Sequence, residues 1–140
     1  MKKQGTRFFI LGTLIMSSTL VISTNVSAIT RTVFRENISV GGVYLITLRG
    51  NSEKSVENRK NILEDRLIDI LADSNLQSSD VSVAKLHSDY AIYVKRRLLV
   101  TVTPQDSAYN QTTPEKQANT WREQLAKSLP QVKVLDPNAH

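Results

Sequence analysis

Cysteine is absent from all 140 residues. Disulfides, a thiolate nucleophile and lipoprotein-type acylation are therefore excluded, and a folded chain must draw its stability from a hydrophobic core. Glycine is scarce, with five residues, and Gly41, Gly42 and Gly50 are too few and wrongly spaced for a phosphate-binding loop. Histidine occurs twice, at His87 and His140. With no GxSxG elbow, a hydrolase would have to recruit Ser or Asp residues that the sequence leaves unmarked, and His87 reads as an ordinary turn residue. Neither an HExxH motif nor an EF-hand loop is present. Glu64, Asp65, Asp69 and Asp73 read as one side of a long helix, solvated and paired with Lys60 or Arg66, so no metal and no cofactor are expected.

Long apolar runs are also lacking, apart from Phe8 to Ile22. Lys2, Lys3 and Arg7 precede that run and Val26-Ser27-Ala28 follows it, the three-part layout of a secretory signal peptide with cleavage expected after Ala28. A retained membrane anchor is the rival reading. The run is interrupted by Thr13, Ser17, Ser18 and Thr19 and falls short of the roughly 20 apolar residues a spanning helix needs. An extracytoplasmic, periplasmic location follows. The leader also carries three of the 18 Lys and Arg, leaving 15 basic against 13 acidic residues for positions 29–140, a net charge of +2. A chain this near neutrality gives little support for nucleic-acid binding, which favours a strongly basic face.

The 112 residues from 29 to 140 suffice for one domain. No internal repeat is evident. Residues 29–37 read as a polar opening segment leading into a short strand that ends at Ile38-Ser39-Val40. Gly41-Gly42 suits a tight hairpin turn, and the β-branched and aromatic run Val43 to Arg49 reads as a central strand. Val56, Leu63, Leu67, Ile70 and Leu71 form one stripe of an amphipathic helix, with Ser55 and Ser52 as competing N-caps. Val81–Leu86, Tyr90–Val94 and Leu98–Val102 alternate as strands, with breaks short enough for an antiparallel meander. Thr103-Pro104 followed by Asp106, and Thr113-Pro114-Glu115, each open a helix. The second carries Ala118, Trp121, Leu125 and Leu129 on one stripe and closes at Pro130. Trp121 therefore reads as a core anchor. Val132-Lys133-Val134 reads as an edge strand before a tail at 135–140. The pattern predicts an α+β fold over residues 38–134, two main helices packed on one face of a mainly antiparallel sheet.

"ISVGGVYLITLRG", "SVENRKNILEDRLIDIL" and "RRLLVTVTPQDS" together resemble the extracytoplasmic amino-terminal domain of cyanobacterial small-conductance mechanosensitive channel proteins. The shared features fall on Gly42, Arg49-Gly50, Ser55 with Arg59, and Leu99 to Asp106, and the likeness spans Ile38 to Leu129. It implies a non-catalytic accessory module and does not extend to a channel segment, so transport is not implied. Where the family has Asn-Gly at a hairpin tip, this chain has Lys95-Arg96. Neither residue adopts positive φ readily, so a longer or bulged turn is expected.

Lys95, Arg96 and Arg97 form the one local cluster that raises a question of function. Three adjacent cations between two strands read first as a solvated turn that discourages edge-to-edge aggregation. The alternative is a contact with anionic lipid headgroups, each cation contributing about 1 kcal/mol near such a surface, or with an acidic partner. The sequence thus points to an exported, non-enzymatic module for binding, sensing or assembly, with a membrane protein as its partner. A small periplasmic enzyme and a peripheral lipid-binding protein are the alternatives.

Overall fold

Two adjacent glycines make the first turn of the described fold. Gly41 and Gly42 have φ of 57° and 78°, the left-handed conformations that a tight two-residue hairpin turn demands and that glycine adopts without steric cost. They join β1 (Phe34–Val40) to β2 (Val43–Gly50), which pair antiparallel. The computed structural model describes residues 32–73 and 75–132; the predicted leader, the cleavage expected after Ala28 and the predicted tail at 135–140 lie outside them. β1 takes in the second half of the polar opening segment.

Ile38 pairs with Ile46 but Ser39 pairs with Tyr44, which leaves Leu45 as a bulge residue. A bulge lets two consecutive side chains turn inward, and Leu45 and Ile46 are both about 1% exposed. This corrects the expectation of a central strand. Among the described residues β2 pairs only with β1, and its apolar run arises from the bulge and from helices that cover it.

Ser52 caps α1 (Glu53–Leu71), its hydroxyl accepting from the Ser55 amide at 3.2 Å. The choice between the two serines thus falls on Ser52. The predicted stripe, Val56, Leu63, Leu67, Ile70 and Leu71, is the buried face. Gly50 is required by close approach rather than by φ, since a Cβ there would lie 2.5 Å from Val56 Cγ2.

β3 (Val81–Leu86), β4 (Asp89–Val94) and β5 (Arg97–Val102) form the expected antiparallel meander, a second sheet in the order β3-β4-β5. The β4–β5 turn differs from expectation. Val94 pairs with Arg97, so the turn is the two residues Lys95 and Arg96, with φ of 45° and 69°. The irregularity comes later, at Leu99, which is left over between the Ile92–Val100 and Tyr93–Leu98 pairs. In both hairpins the bulge falls three positions beyond the second turn residue, at Leu45 after Gly42 and at Leu99 after Arg96. The geometry repeats although the residues do not.

Thr103 and Thr113 cap α2 (Pro104–Tyr109) and α3 (Pro114–Ser128), each with proline in the first turn. A 3-10 turn, Leu129–Gln131, contains Pro130 and ends α3. α1 packs on β1, β2 and β5, and α3 on β2, β3 and β4. The fold is thus α+β, and one core runs through both sheets, with Leu48, Leu67, Ile92, Leu99, Leu125 and Leu129 nearly inaccessible and Trp121 buried as a core anchor. Each such side chain contributes about 1.5–3 kcal/mol relative to exposure. Val132 follows the 3-10 turn outside any strand, while Lys133 and Val134 of the predicted edge strand lie outside the described residues.

The Gly50–Val56 contact yields a stability test. Gly50→Ala should destabilise the fold by about 1–3 kcal/mol through overpacking, read as a lowered urea midpoint. Combined with Val56→Ala it should cost less than the sum of the two single changes, because the clashing methyl is gone.

Candidate functional site

Asp106 is the most deeply buried charged residue among the described residues, at 1% exposure. It sits at the third position of α2 because Thr103 opens that helix, and the two make a reciprocal capping box. Its carboxylate accepts five hydrogen bonds. Oδ1 receives the Arg49 amide at 2.8 Å and Arg59 Nη1 at 3.2 Å. Oδ2 receives Arg59 Nη2 at 2.7 Å, with the Thr103 amide and hydroxyl each at 2.8 Å. Arg59 also donates to the Arg49 carbonyl at 2.8 Å and the Thr101 carbonyl at 3.0 Å. Arg66, two turns further along α1, donates to the Leu99 carbonyl at 3.1 Å. Two arginines of α1 therefore satisfy alternate carbonyls on the outer edge of β5, where a neighbouring strand would otherwise bond. Such a forked ion pair is a strong structural contact, and every acceptor site on Asp106 is engaged with the protein itself.

Beside this node, the Arg49 guanidinium lies 3.8 Å from the Tyr109 ring centroid, a cation–π contact. On β4, Tyr90 has its phenol pushed above the usual value of 10.0, by desolvation first and then by the adjacent Glu115 carboxylate, so it stays neutral at physiological pH.

The three candidate residues of the basic tip separate in the structure. Lys95 Nζ reaches Asp73 at 3.1 Å, the Asn75 carbonyl at 3.2 Å and Asp80 at 3.9 Å. Arg97 Nη1 donates to the Asp69 carbonyl at 2.7 Å. Asp69 lies in the last turn of α1, which has no basic residue of its own, so the hairpin supplies the positive charge that a helix C-terminus favours. Arg96 is exposed and is the member of the trio that has no side-chain partner among the described residues. A small depression of about 150 Å3 lined by Ile70, Leu76 and Val94 lies under the Lys95 and Arg97 stems. His87 is an exposed turn residue with φ of 57°. No cluster of His, Asp and Glu suited to a metal ion occurs among the described residues, and no helix among them is long and apolar enough to cross a membrane.

Two grooves remain. One, about 200 Å3, runs between α1 and β5 over Arg59, Ile62, Arg66 and Thr101. The other, about 690 Å3, lies open between the first hairpin and α3. Gly42, Val43 and Tyr44 form one wall. Thr120, Glu123, Gln124, Lys127 and Ser128 of α3, continued by Gln131, form the other. These α3 residues recur at three- and four-residue intervals, a polar stripe flanking the apolar stripe of Ala118, Trp121 and Leu125. The polar periodicity beside the apolar stripe is the signal in the sequence for this wall of the groove.

The elements and grooves define a small α+β domain in which two bulged hairpins are joined through helices and a buried ion pair. The chain belongs to the family described as a domain of unknown function, DUF8459, which matches residues 30–132. No curated protein and no solved structure matches it.

Two stability experiments follow. Asp106→Asn leaves the Arg59 guanidinium without its counter-charge and should cost about 3 kcal/mol in denaturant unfolding. Arg96→Gly should stabilise by about 1 kcal/mol, because it removes left-handed strain from an uncommitted residue. Lys95→Gly relieves the same strain but releases Asp73 and Asp80, and its urea midpoint should rise less.

Proposed function

We propose that the chain is an exported, non-enzymatic module for binding, sensing or assembly, and that it acts beside a membrane protein, a mechanosensitive channel being the kind of partner its sequence resemblance implies. The observation that supports this reading is the use to which the charged side chains are put. Asp106, Arg59, Lys95 and Arg97 hold strands and helix ends together. The groove between the first hairpin and α3 is an open trough rather than the enclosed, water-excluding pocket that favours catalysis. Such a surface suits contact more than turnover. The basic, apolar and small-residue pattern of residues 2–28 in the sequence supports the extracytoplasmic location.

The test is mild crosslinking in intact cells, followed by recovery of the protein from solubilised membranes. A discrete membrane-protein adduct is expected. Recovery solely as a freely diffusing monomer, or as an uncut precursor in the cytosol, would refute the proposal.

A further inference from the structure

We propose that the groove between the Gly41-Gly42 hairpin and α3 binds a neutral, hydroxyl-rich ligand, an oligosaccharide. The inference rests on the reading of the chain as a binding module and names the chemistry that the module recognises.

Charge is the first consideration. Glu123 and Lys127 stand one turn apart on α3 and contribute opposite signs to the lining, so the groove offers no net charge to select an ionic ligand. Hydrogen-bonding capacity is the second. Neither the Gln124 amide nor the Ser128 hydroxyl is used in a hydrogen bond among the described residues, and each supplies both donor and acceptor. Thr120 donates its hydroxyl proton to the Lys116 carbonyl at 3.0 Å, and Gln131 Nε2 donates to the Lys127 carbonyl at 2.8 Å. Both therefore turn acceptor oxygens toward any further partner. A ligand dense in hydroxyls, each a donor and an acceptor at once, matches this set. A charged peptide does not, and an apolar one would need anchor pockets that a shallow trough of mixed polar and apolar lining lacks.

The third consideration is Tyr44, which is 43% exposed on the opposite wall. Its hydroxyl bonds to Thr47 Oγ1 at 2.7 Å, and Thr47 donates in turn to Asn37 Oδ1 at 2.7 Å. The ring is thereby held before any ligand arrives, at low entropic cost. A fixed, half-exposed aromatic beside free amides and hydroxyls suits the apolar face and polar rim of a sugar ring.

The experiment is an NMR titration of the full chain with chitotetraose and with maltotetraose, alongside a sulfated heparin tetrasaccharide. Backbone amide shifts should cluster at 42–44 and 120–131 with at least one neutral sugar. Tyr44→Ala and Gln124→Ala should each weaken that binding about 10-fold, the loss of roughly one good contact, with unchanged circular dichroism. The proposal is overturned by silence from both neutral sugars at millimolar concentration, by groove shifts with the sulfated sugar alone, or by an affinity that Tyr44→Ala leaves unchanged. Crosslinking to a membrane partner that persists when neither neutral sugar binds would remove the sugar site and leave the module reading intact. Sugar binding without any membrane adduct would do the reverse.

Discussion

The Asp106 carboxylate is the joint on which the arrangement of the two sheets depends. Arg49 at the end of β2, Arg59 on α1 and Thr103 at the start of α2 all donate to it. Arg59 in turn reaches the carbonyls of Arg49 and Thr101. Backbone ladders stop at the outer edges of β2 and β5, and a guanidinium bridges the gap that a continuous sheet would close with amides. Removing two charges from water is costly, and a pair of this kind is sustained when hydrogen bonds satisfy the remaining lone pairs. Five donors meet that condition. The same contacts tie β2, α1 and α2 together, so the buried Asp106 charge is a fastener.

The basic tip obeys the same economy on the surface. Lys95 and Arg97 reach across to the C-terminal turn of α1 and the loop after it, and partly exposed contacts of this type each contribute about 0.2–1 kcal/mol. They offset part of the strain of a turn in which neither residue is glycine. The cluster that reads first as a solvated turn, and alternatively as a contact surface, uses two of its three cations to clamp a helix end, with Arg96 projecting.

Much of the fold was legible in the residues. The buried stripe of α1, the meander, both threonine-proline helix starts and the Trp121 stripe stand where their periodicity and capping chemistry put them. The two-residue Lys95-Arg96 turn was not legible, because propensity argues against positive φ and contacts more than fifteen residues away override it. The outer edge of β2 was missed for a related reason. An apolar run reads alike whether a strand is flanked by two others or carries a bulge that turns Leu45 and Ile46 inward together. The wide groove could have been traced from the spacing of Thr120, Gln124, Lys127 and Gln131, but its other wall, Tyr44, is far away in the chain.

The amino-acid sequence by itself determined the helices, most of the strand segments, the two threonine caps and the α+β class, since each depends on periodicity and local hydrogen bonding within a few residues. Tertiary structure alone decided which charges meet, where the bulges fall and which polar side chains stay free. Those outcomes depend on pairs such as Arg49 with Asp106, 57 positions apart, whose meeting is fixed by packing rather than by spacing along the chain.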